Sequence, residues 1–168
     1  LRRQRQMCIR DSANSALLVQ INDSDYGNEL FAGLKYQEEL ERKAFLMGQD
    51  YKACVQLAKD YLAHRVSKQF ESVVPTYSIG TTFCDLNDLF SDEVNLALHE
   101  ALKHFEKKVP GFVSSGAILS AVESRSSSSV RLVRDKENYV SNIQGLYPSG
   151  EGSGYAGGIM TSAIDGIR

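Results

Sequence analysis

Between residues 29 and 47 apolar side chains recur at Leu30, Leu34, Leu40, Ala44 and Met47, while Glu38, Glu39, Glu41, Arg42 and Lys43 fall largely on the other side. That spacing predicts an amphipathic helix. Gln37 lies inside the apolar stripe, where a polar side chain needs a partner, so it is either a bridge to backbone or a ligand contact. From 92 to 107, Val94, Ala97, Leu98, Ala101, Leu102 and Phe105 form the cleanest helical stripe of the chain. Asp92 and Glu93 open it, and Lys107 and Lys108 close it, as the helix dipole favours. Asp85 and Ser91 are candidate N-caps, and His99 and His104 fall near the polar side of this helix, where solvation is expected. A further helix is expected near 53–63, followed by an extended connection bracketed by Pro75 and Gly80.

Three runs have the texture of strands: Ala16–Ile21, closed by the turn residues Asn22–Asp25, then Ala117–Val122, then Val130–Val133. Between the last two lie Glu123-Ser124-Arg125 and four serines, read as a turn whose hydroxyls and amides are free to bind. Seven of the thirteen glycines fall in the last twenty-four residues. A short strand through Leu146 and Tyr147, a glycine loop, and a helix carrying Ile159, Ala163 and Ile167 toward a sheet are predicted there. Glycines admit a ligand close to the backbone, and amides at a helix start attract an anion or a carbonyl oxygen. The loop is not a Walker loop, because no GK[ST] follows, and Gly150-Glu151-Gly152-Ser153-Gly154 does not match GxGxxG in register. On spacing alone a flexible hinge competes with a nucleotide loop.

The chain has 168 residues, 42% hydrophobic and 24% charged, the composition of a globular domain. Its apolar runs are too short and too often interrupted to span a membrane. Cys8, Cys54 and Cys84 stand in no metal-ligand or disulfide spacing, so no metal is expected, and a reducing, cytoplasmic location is. Arg2–Ser12 looks, residue for residue, like the translation of a transposon adapter used in DNA library preparation, and residues 1–12 are set aside as non-native. Without Arg2–Ser12 the chain keeps 15 basic and 20 acidic residues, a formal charge of −5, which counts against nucleic acid as a partner.

Several blocks together resemble the C-terminal region of the uncharacterised FAD-dependent, NAD(FAD)-utilising dehydrogenases. They are Ala13–Leu17, Gln37 with Glu41–Phe45, Gly111-Phe112, Glu123–Ser128 with Val130-Arg131, and Gly145–Pro148 through Asp165–Arg168. The resemblance implies an α/β flavoprotein, or α+β within this piece, with a Rossmann-like FAD domain interrupted by an inserted domain. On that reading residues 13–115 are part of the insert, and 116–168 are the return to the FAD domain. The piece is then cut at both ends, lacks the N-terminal half that anchors FAD, and is expected to bind no FAD by itself.

The residues that the resemblance assigns to the cofactor are Gly150, Glu151, Gly152, Gly154, Tyr155, Ala156, Gly157, Gly158 and Ile159. It places Glu151 by the ribityl and pyrophosphate portion, and the amides near Gly157 and Gly158 facing the flavin ring. Arg125 and Arg131 are either contacts to an anionic substrate or the cofactor, or members of structural salt bridges. The intact parent is expected to be an FAD-dependent oxidoreductase acting on an unidentified small molecule, with NAD(P) a candidate redox partner and no catalytic acid or base assigned. Competing readings are a flavoprotein of the tRNA-uridine-modifying type and a non-catalytic binding or assembly module. The sequence departs from the family at Cys54 and Ser129, where prolines are usual, and at Ser149, so no cysteine redox relay is claimed.

Overall fold

A computed structural model describes residues 14–113 and 116–167; Arg2–Ser12, the segment read as adapter-derived, lies outside the described residues. In chain order the elements are α1 (Asp23–Tyr26), α2 (Ala32–Met47), β1 (Ala53–Leu57), α3 (Ala58–Leu62), β2 (Thr81–Phe83), α4 (Asp92–Lys108), β3 (Ile118–Ala121) and α5 (Ile159–Ile167). This is a small mixed α/β arrangement with a three-stranded mixed sheet in the order β2-β1-β3. The central strand pairs parallel with β2, Cys54 opposite Thr82, and antiparallel with β3, Val55 opposite Ser120. The described residues divide into two compact units, one of 14–21 and 40–122, the other of 22–39 and 123–167.

The first unit holds the sheet and the apolar core. Cys54, Ala58, Tyr61, Leu86, Leu89, Leu102 and Val113 are buried together with Ala44 and Cys84. Because β1 is central, its side chains are buried on both faces, so it reads as a continuous run with no alternation. Gln56 sits fully buried in that run and is satisfied there: its Nε2 donates to Arg65 O (2.9 Å) and its Oε1 accepts from Leu86 N (2.7 Å). The turn after α3 is closed by Asp60, which accepts from Ser67 Oγ (2.7 Å) and Arg65 Nε (2.7 Å). Burial alone would push the Asp60 carboxyl up, but hydrogen bonds from Ser67 and Arg65 outweigh it and hold the group below its ordinary value.

The carbonyls that end α2 are all accounted for. Gly48 N donates to Ala44 O, Asp50 N to Phe45 O and Gln49 N to Leu46 O. The Cys54 thiol donates to Ala44 O (3.3 Å), the Cys84 thiol to Met47 O (3.2 Å), and Thr82 Oγ1 to Gly48 O (2.7 Å). At the start of α4 the Ser91 side chain accepts from Val94 N, as a cap should, and Val109 and Pro110 end the helix.

Several expectations are overturned. Ala16–Ile21 forms no strand, since the sheet offers it no partner, and the turn after it is α1. The helix expected near 53–63 is a strand followed by a single helical turn, because Ala53–Leu57 is enclosed by strands on both edges. Asp85 caps no helix; its Oδ1 accepts from Asn87 N and Nδ2 in a turn. The buried face of α4 is rotated from the predicted stripe: Asn95 and His99 are inside, His99 only 8% exposed, while Ala97 and Phe105 are exposed. Val130–Val133 and Leu146–Tyr147 are not strands; an isolated bridge joins Arg134 to Ser141 instead.

Candidate functional site

The glycine loop and the serine block belong to the same unit, and the structure brings them together. Leu132 N donates to Ser153 O (3.2 Å), Ser128 Oγ to Gly152 O (3.3 Å), and Arg131 Nε to Gly154 O (3.0 Å). Within the loop, Gly154 N donates to Glu151 O and Tyr155 N to Gly150 O. Residues 128–134 therefore form a shelf on which Gly150–Tyr155 rests. Gln37, flagged at the sequence level, donates its Nε2 to Ser124 O (3.0 Å), which makes it a bridge to backbone at the head of that shelf.

Two glycines of the loop are required by its own geometry. Gly154 has φ +79°, and a Cβ there would stand 2.6 Å from Val130 O, too close for any side chain. Gly150 has φ +74° and turns the chain over Ser162. Gly152 and Gly157 differ: neither has a positive φ, and a Cβ on either would meet nothing within 4 Å. At Gly158 the nearest atom would be Thr161 Oγ1, at an ordinary 3.6 Å. Nothing among the described residues demands glycine at these three positions.

Helix α5 turns the opposite face inward from the one the sequence suggested. Ile159 is 88% exposed and Ile167 85% exposed, with Met160, Ala163 and Ile164 exposed as well, so the expected packing of Ile159, Ala163 and Ile167 on a sheet does not occur among the described residues. The face toward the loop is polar. Asp165 Oδ2 accepts from Gly150 N (2.8 Å), and Ser162 Oγ is buried without a protein hydrogen-bond partner among the described residues. A buried hydroxyl without a partner is uncommon.

Arg134 was not singled out by the sequence, yet it is the most heavily engaged side chain of the unit. Its Nη1 donates to Pro148 O (2.6 Å) and Asp165 Oδ2 (2.9 Å), and its Nη2 to Asp165 Oδ1 (2.6 Å). The guanidinium lies 3.7 Å from the centroid of the Tyr155 ring and 4.8 Å from that of Tyr139. Both partners of the ion pair are nearly buried, 7% and 10% exposed. The hydrogen bond to Asp165, with its charge, raises the guanidinium pKa further above an already high value.

Of the two arginines flagged from the sequence, Arg131 is exposed at the loop, bonded to Gly154 O and 5.2 Å from the Tyr155 ring centroid. Arg125 is exposed just ahead of the shelf in the chain. Glu151 is exposed at the loop's tip and Gly157 beside the start of α5. Among the described residues no cluster of three or more His, Cys, Asp or Glu could hold a metal ion, and no helix is long and apolar enough to cross a membrane.

The family model described as "FAD-dependent protein, C-terminal domain-like" matches residues 5–126. An uncharacterised protein of Clostridium beijerinckii is 42% identical over 160 residues, a match that covers 94% of this chain. The chain spans about 30% of the length of that relative.

Proposed function

The chain belongs to the family of FAD-dependent proteins, C-terminal domain-like, and from that premise we propose that it contributes one wall of an FAD site to a larger flavoprotein oxidoreductase. The residues that would hold the cofactor are Gly150, Glu151, Gly152, Gly154, Tyr155, Ala156, Gly157, Gly158 and Ile159. The observation that carries the reading is the set of glycines at 152, 157 and 158, which neither backbone strain nor crowding by the described residues explains. Their missing side chains leave room for a flat or phosphorylated group lying directly on the backbone. The orphaned hydroxyl of Ser162 beneath the loop fits the same account.

Bound FAD would supply two-electron redox chemistry. This chain's part is to present backbone. The first amides of α5 have no acceptor within the helix, and the positive end of its dipole favours negative charge or a carbonyl oxygen placed there. Arg131, exposed beside the loop, adds a cation for an anionic group. The exposed apolar face of α5, Ile159 to Ile167, is suited to packing against the rest of a Rossmann-like FAD domain, contributed by the part of the relative's length that this chain does not span.

The test is a full-length protein carrying this segment, purified and examined for a yellow flavin spectrum. Stoichiometric FAD is the expected result, with Gly157→Val lowering flavin occupancy at least tenfold and leaving the circular dichroism of the 168-residue chain unchanged. A colourless full-length protein that takes up no added FAD would overturn the reading.

A further inference from the structure

We propose that Arg134 is the positioning residue that fixes the glycine loop's shape before any ligand arrives, acting through Asp165 and Tyr155; the role in cofactor binding rests on the reading of the loop given above. Pro148 stands at the loop's entrance, Tyr155 at its exit, and Asp165 on the helix that follows. One guanidinium reaches all three, donating to Pro148 O, forking onto both Asp165 oxygens, and lying on the face of Tyr155. The backbone joins the same grip, because Arg134 N donates to Tyr155 Oη (3.1 Å).

The ion pair reaches the loop's backbone directly. Asp165 Oδ2 accepts from Gly150 N as well as from Arg134, so the direction of the first loop amide is set by the position of the carboxylate that Arg134 holds. The shelf's hydrogen bonds to Gly152, Ser153 and Gly154 hold the middle of the loop, and the Arg134–Asp165 pair holds its entrance. Among the described residues of this unit no apolar side chain larger than Ala32 and Pro148 is buried, so apolar packing does not choose the loop's conformation. A site held in its binding geometry before binding loses less free energy to ordering when the ligand arrives. The geometry also calls for arginine in particular: a planar fork spans two carboxylate oxygens and a third acceptor, which the single ammonium of lysine cannot do in one position.

Two measurements test this. In the 168-residue chain, amide hydrogen exchange at Gly150 and Tyr155 is expected to be slow, and at least tenfold faster in Arg134→Lys and Asp165→Asn, with Val55 and Leu57 unchanged. Tyr155→Phe, which keeps the ring and removes only the acceptor hydroxyl, covers the case in which the ion-pair variants fail to fold; it should speed exchange at the Arg134 amide. In a full-length protein carrying the segment, Arg134→Lys is expected to weaken FAD at least tenfold and to shift the bound flavin's visible spectrum, a change that lowered stability alone would not produce. Unchanged exchange at Gly150 in Arg134→Lys overturns the proposal. So does wild-type FAD affinity and spectrum in that variant, and the FAD reading then still stands. A wild-type protein without FAD removes that reading alone, and the exchange measurement decides the role of Arg134.

Discussion

Asn87 dictates the tautomer of His99. Its Nδ2 donates to Tyr61 O (3.1 Å) and Asp85 Oδ1 (2.8 Å), so its Oδ1 faces the imidazole and must accept from Nε2–H of His99, at 3.0 Å. The neutral ring, edge-on to Tyr61, is thus a satisfied core group whose second proton has an unfavourable place to go.

Burial, then the neighbouring His64 ring at 4.9 Å and Lys103 on the same helix, hold His99 below its ordinary value of 6.5. Above that value the ring is neutral folded and unfolded, and stability does not depend on it. As pH falls below 6.5 the unfolded ring takes up a proton that the folded one resists, so stability falls until the folded value is passed. Thermal melts of the 168-residue chain should lose midpoint between pH 7 and 5, and His99→Gln should flatten that slope. A separate loss belongs below pH 3.8, where Asp60 and Asp85, both held low by hydrogen bonds, are forced to protonate.

The two core thiols should be inert. Cys54 is pushed up to about 12, chiefly by burial and further by its contact with Cys84, and both thiols already donate to carbonyls that end α2. In a Cys8→Ser background, labelling with an aromatic disulfide reagent at pH 8 should proceed no faster than unfolding. A rapid phase accounting for one thiol would contradict this.

Gln56→Leu keeps the size of the side chain and removes its polar atoms. Leu86 N, buried, loses its acceptor at a cost of about 1–3 kcal/mol, while Arg65 O, on an exposed residue, loses a donor that solvent can replace. Denaturant unfolding should therefore show a loss on the order of 2 kcal/mol. A change under about 0.5 kcal/mol, the range of ordinary surface substitutions, would mean that the network is not formed.

The glycines of the loop should separate into two classes. Gly154→Ala forces a side chain into a left-handed backbone conformation and against Val130 O, and should cost about 2 kcal/mol or more in the loop's local stability, read by amide exchange at Tyr155. Gly152→Ala meets neither obstacle and should leave that exchange unchanged. Equal effects at both positions would remove the argument that Gly152 is spared for a ligand.

By itself, the sequence determined what depends on neighbours along the chain. Ser91 capping a helix opened by Asp92 and Glu93, the span of α2, the start of α5 after the glycines, and the need of Gln37 for a hydrogen-bond partner are local matters, and the structure follows them. The family was legible too, from blocks spread along the chain. Tertiary structure alone decided which faces turn inward. β1 carries no alternation because strands flank it on both sides, so periodicity alone does not tell it from a buried helix. His99 lies inside because Asn87 and Tyr61, distant from it along the chain, complete its hydrogen bond and ring contact. The pairing of Arg134 with Asp165 spans 31 positions and leaves no local periodicity, since an ion pair is specified by where two chain segments meet in space.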